Sequence, residues 1–121
     1  TVTPLINQVE GALVIGNLTP TGGTVNALTY FKYTINNNLC HFEANFTATP
    51  SSGWAVIDIT IASWGVVKEQ TGYASCNSYV LNGATYIPSN AIIKENFLTI
   101  KLDSAVTTLS TIYISGTFKV V

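Results

Sequence analysis

The sequence predicts an all-β protein of antiparallel strands, a sandwich or barrel of the jelly-roll kind, and three observations carry that prediction. Residues 39–48 alternate almost without error: Cys40, Phe42, Ala44, Phe46 and Ala48 fall on one side of an extended chain, and His41, Glu43, Asn45 and Thr47 on the other, because successive strand side chains point to opposite faces. Similar segments recur to the C-terminus, separated by turn signals at the roughly 8 to 12 residue spacing of sandwiches and barrels. Helical periodicity appears nowhere over a useful length.

The first two dozen residues differ from the rest. A short apolar run at 12–15 is followed by the turn formers Asn17, Pro20, Gly22 and Gly23, so residues 1–26 read as a lead-in strand and linker and 27–121 as the main domain. Residues 28–35 carry Phe31, Tyr33 and Ile35 on one face and Tyr30, Lys32 and Thr34 on the other. The triple Asn36, Asn37, Asn38 then turns the chain, since Asn tolerates the left-handed conformation that tight hairpins need. After the break at Pro50, Ser51, Ser52 and Gly53, the residues Ala55, Ile57, Ile59 and Ile61 restart an inward stripe opposite Val56, Asp58 and Thr60. Residues 64–77 are the least periodic and read as loop with a short strand. Asn82-Gly83, between the strand-like runs 78–81 and 84–87, is a strong hairpin signal. Residues 91–93 precede a turn at 94–96, after which Leu98, Ile100 and Leu102 face in and Thr99 and Lys101 out. The final strand points Ile112, Ile114, Phe118 and Val120 inward, and Tyr113, Ser115, Thr117 and Lys119 outward.

At 121 residues, one domain can bury roughly two-thirds of its unfolded surface. Charged residues make up 9% of the chain, far below the roughly 25% of ordinary domains, yet no apolar run approaches the ~20 residues of a membrane helix. Such a surface is expected to be covered in part by other copies, so an oligomer is expected. Net charge is −1 and all five cations are scattered lysines. The lack of arginine and of a basic cluster argues against nucleic acid and anionic lipid as partners. The start at Thr1 and the lack of methionine lead us to expect a processed product or a fragment of a longer chain. Cys40 sits on the apolar face of its strand, where a buried thiol is favoured over a Cys40–Cys76 disulfide. With one histidine and no paired cysteine spacing no zinc site is expected, nor any cofactor. The two glycosylation sequons, at Asn17 and Asn45, read as chance matches in a chain rich in Asn and Thr.

The catalytic inventory is thin. His41 is the single histidine, and no serine occupies a nucleophile elbow, so no triad is recognisable and a non-enzymatic role is expected. A pair of dispersed acids, Glu43 and Asp58, is the one route to glycan hydrolysis that the sequence leaves open. His41 and Glu43 share a strand face as i, i+2 neighbours; they read either as a solvated polar pair or as donor and acceptor for a ligand. Trp54 and Trp64 bracket the Ile-rich strand, either as core or interface fillers or as rings that stack on a sugar. The candidate saccharide-binding residues are therefore Trp54, Trp64, His41, Asp58 and Glu43.

The run YFKYTINNNLCHFEANFTA, then SGWAVIDITIASWG, the IPSNAIIKENFLTI hairpin and the closing TIYISGTFKV resemble the C-terminal head domain of tail-fibre and baseplate receptor-binding proteins from siphophages and prophages of Gram-positive bacteria. The resemblance covers roughly residues 27–121 and includes the closing pattern Tyr-x-Ser-Gly-x-Phe at Tyr113, Ser115, Gly116 and Phe118. It implies a homotrimeric β-sandwich or barrel head at the tail tip of the virion. Its expected partners are two further copies, the rest of the fibre or baseplate, and a host cell-wall saccharide, with neither nucleic acid nor membrane insertion. The missing arginine departs from what an anionic wall polymer would favour and points to a neutral saccharide. Two alternatives of other classes stand beside this: a structural trimerisation cap of a fibre or virion protein, and a monomeric carbohydrate-binding module or adhesin.

Overall fold

The computed structural model describes residues 9–37, 39–50, 56–61, 74–94, 97–103, 106 and 108–119. The strands are β1 (Val9–Ala12), β2 (Leu18–Thr21), β3 (Gly23–Asn36), β4 (Leu39–Pro50), β5 (Val56–Ile61), β6 (Ala74–Asn82), β7 (Thr85–Ile87), β8 (Ser89–Lys94), β9 (Phe97–Leu102) and β10 (Ser110–Lys119), with one 3-10 turn at Ile15–Asn17. Every pairing is antiparallel. The order is β1-β3-β4-β10-β6-β8-β9-β5-β2, with β7 also on β6, and the sheet curls into a half-barrel. The all-β antiparallel expectation is thus met.

Alternation decides which side of the sheet is concave. Phe42, Phe46, Ile57, Ile61, Val80, Leu98 and Ile100 are fully buried, and they join Cys40, Phe31, Ile93, Ile112 and Phe118 in one contiguous core. Large residues face small ones across β4 and β10, with Ala44 opposite Ile114 and Phe42 opposite Gly116. The Phe42 ring stacks on Phe31 at 5.6 Å and tilts against Phe118 at 6.1 Å, contacts that add to the area buried.

Three departures from the sequence reading have local causes. The stretch read as lead-in and linker supplies both ends of the sheet: β1 pairs with β3, and β2 pairs with β5. Pro20 lies in β2, an edge strand, where a missing backbone donor is tolerated. The hairpin after β6 turns on Gly83-Ala84, with Asn82 opposite Thr85, one residue later than Asn82-Gly83. Gly83 alone takes the positive φ, +63°, which a two-residue turn with Gly in its first position requires. Finally, β6 starts at Ala74, and β7 and β8 hold one register against it, Val80 opposite Ile87 and Cys76 opposite Ala91; Pro88 interrupts what is otherwise a single strand. The Asn turn forms as expected, with Asn37 at φ +53°.

Both cysteines are free. Cys40 pairs across to Phe118, whereas Cys76 Sγ abuts Gly116 from the far side of β10. Two strand spacings of about 4.8 Å separate them, beyond disulfide reach. Burial pushes each thiol from 9.0 up to about 11. At pH 8 the partly exposed Cys76 thiol is expected to react with iodoacetamide about 100-fold more slowly than in the denatured chain, and the buried Cys40 thiol more slowly still. Because the folded state holds these protons more tightly, the unfolded state binds fewer of them above pH 9, and stability falls as pH rises from about 9 to about 11. A denaturant midpoint that stays flat across that window overturns the assignment.

Candidate functional site

The convex outer side of β3, β4, β10 and β6 carries the residues of opposite parity to the core. Register sets them in rows. Tyr30 lies opposite Asn45, Asn45 opposite Tyr113, and Tyr113 opposite Tyr79; Tyr86 of β7 reaches the same patch, its ring 5.0 Å from that of Tyr79. The Tyr79 and Tyr113 rings are 6.2 Å apart. Tyr79, Tyr86 and Tyr113 remain 47%, 49% and 39% exposed, an uncommon use of large side chains on a free surface.

The next row runs Lys32, Glu43, Ser115, Asn77, and the one beyond it Glu10, Thr34, His41, Thr117. His41 Nδ1 lies 3.0 Å from Thr117 Oγ1, and its Nε2 is 3.7 Å from Glu43 Oε1. The tautomer that accepts from the Thr117 hydroxyl at Nδ1 turns the Nε2 hydrogen toward the carboxylate, which fits both neighbours. Lys32 Nζ stands 5.2 Å from the centre of the Tyr30 ring, within cation–π range, and directly opposite Glu43 in register.

No family model matches the chain, and neither a curated protein nor a solved structure matches it.

Two depressions open on this face and meet at Glu43. A groove of about 250 Å³ is lined by Tyr30, Tyr79, Tyr113, Glu43, Asn77 and Ser115. A wider hollow of about 590 Å³ adjoins it, bordered by Glu10, Lys32, Thr34, His41 and Glu43. Of the residues selected from sequence, His41 and Glu43 come together here. Asp58 does not join them: it sits in β5 opposite Thr21 and Thr99, and its Oδ1 accepts a 2.7 Å hydrogen bond from the Thr99 hydroxyl. Trp54 and Trp64 lie outside the described residues. Among the described residues no group of three or more His, Cys, Asp and Glu side chains converges as a metal site would require.

The four tyrosines are what sequence reading missed as a site. The outward parity of Tyr30 and Tyr113 was legible, but their meeting with Tyr79 and Tyr86 depends on β10 lying between β4 and β6. A face of aromatic rings bordered by amides, hydroxyls and carboxylates can stack against the apolar side of a sugar ring and take its hydroxyls at the margin.

Proposed function

We propose that this chain is a non-enzymatic receptor-binding head domain of a phage tail fibre or baseplate, which attaches to saccharide on the host cell surface. The observation that supports this best is the outer face of β3, β4, β10 and β6, where the exposed rings of Tyr79, Tyr86 and Tyr113 adjoin the polar hollow around Glu43. The order of sequence segments that resembles such heads supports it as well. In this reading three copies assemble into a sandwich-like trimeric head carried at the virion tail tip. Exposed apolar side chains away from the face, among them Val14, Ile15, Phe97 and Leu109, support burial against other copies. Weak binding at each site is then raised by linkage, because once one site is engaged the others bind at a high effective concentration.

Light scattering on a sizing column, paired with sedimentation of the chain on Gram-positive cell walls, tests the proposal. The expected result is a particle near three times the 12.9 kDa chain that pellets with the walls. A monomer that stays in the supernatant overturns it. Release of reducing ends from the walls, lost on Glu43→Gln, would overturn the non-enzymatic part alone.

A further inference from the structure

We infer that the saccharide lies across the strands on the face of a single subunit, as a neutral oligosaccharide that runs from the tyrosine row into the hollow at Glu43. This rests on the saccharide-recognition reading above and adds the place and the orientation of the ligand, with a second ground, the charges of the hollow, for the neutral class to which the missing arginine points. Orientation follows from how the rings are supplied. Tyr30, Tyr113 and Tyr79 come from β3, β10 and β6, and Tyr86 from β7 beyond, so the row crosses the strands. Tyr113, Tyr79 and Tyr86 pack against one another at 6.2 Å and 5.0 Å with their rings inclined by 58° and 33°, so they form one aromatic ridge along which an extended glycan can lie. A single sugar would leave most of the row uncovered.

Charge selects the ligand class. The hollow that continues the row holds two carboxylates, Glu10 and Glu43, against one ammonium, Lys32. A phosphate- or carboxylate-rich polymer entering there meets like charge, and Lys32 is already opposite Glu43 and close to Tyr30. Hydroxyl groups fit better: the carboxylates accept from them, and Asn77, Ser115 and Thr34 offer both donors and acceptors. The tyrosine groove and the hollow share Glu43 and so form one continuous face of the chain.

The test uses the full chain and two wall fractions, neutral polysaccharide stripped of phosphate polymers by hydrofluoric acid and purified teichoic acid, with titration calorimetry as the readout. The unaltered chain is expected to bind the neutral fraction and to ignore the phosphate-rich one. Tyr79→Ala and Tyr113→Ala are each expected to weaken binding by about tenfold or more, as removal of a central aromatic anchor does, with the solution mass unchanged. Unaltered affinity in both variants overturns the inference while leaving host attachment standing, and so does a preference for teichoic acid. A changed oligomeric mass in the variants would instead identify the face as a contact between copies and overturn it. Failure of the unaltered chain to bind either fraction sinks the saccharide reading itself.

Discussion

Replacing Phe42 by alanine is expected to lower the free energy of unfolding by about 3–5 kcal/mol, the range for removing a fully buried ring whose surroundings cannot collapse. The ring is completely enclosed and is in contact with Phe31 on one side and Phe118 on another. Its opposite residue is Gly116, which has no side chain that could swing into the vacated space. Strand backbones fixed by the β3–β4 and β4–β10 ladders resist closing the gap. Domains of this size are stable by only about 5–15 kcal/mol, so the loss is about a fifth or more of the total. Urea denaturation reads it as a lower midpoint at constant slope. Leu39→Ala is the control, because that side chain is 44% exposed; it is expected to cost about 1 kcal/mol or less. Equal costs at the two positions would mean that the concave side of the sheet is not where stability resides.

The strand grammar of this chain was legible wherever one face is buried and the pairing regular. Residues of β4, β5, β9 and β10 alternate with period two, and the structure buries the inward set in each: Cys40 to Ala48, Ile57 to Ile61, Leu98 to Leu102, Ile112, Ile114 and Phe118. In β3 the rule breaks. Register shifts between Val25 and Ala27 and again between Leu28 and Tyr30 leave Asn26 and Thr29 as extra residues. The bulge at Thr29 lets Leu28 pack against the core although it shares parity with the outward Tyr30. A bulge carries no mark in a composition of Asn, Ala, Leu and Thr; it exists only relative to the partner strand, where Thr49 donates to Asn26 Oδ1 at 2.8 Å beside the first of the two. The same limit hid the candidate site. His41 and Glu43 are neighbours on one strand and could be paired by counting, whereas the tyrosine row needs the sheet order, in which β10 is inserted between β4 and β6. Pairings so distant along the chain leave no local signal, because the free energy that selects them comes from closing the core rather than from any one segment.

Gly116→Val is expected to destabilise the protein by about 3 kcal/mol, the upper part of the range for overpacking, although intrinsic strand preference favours valine over glycine. A Cβ at this position would stand 2.8 Å from Phe42 Cε1 and 2.9 Å from Cys76 Sγ, inside contact distance to side chains on both neighbouring strands. Neither can move freely, since the Phe42 ring is held by Phe31 and Phe118 and Cys76 sits at the margin of the core. Because propensity and packing predict opposite signs, the sign of the measured change decides between them. Combining Gly116→Val with Phe42→Ala sharpens the argument: the new methyl groups would enter the space that the ring leaves, so the double variant is expected to be more stable than the sum of the single losses allows, by about 1–3 kcal/mol of coupling. The same strand presents Tyr113 and Ser115 on its other side, within three residues of the glycine. Overpacking at Gly116 in the single variant is therefore expected to weaken glycan binding as well as folding, and the Phe42→Ala background should restore part of both. Recovery of stability without recovery of binding would separate the packing of β10 from the placement of its outward side chains.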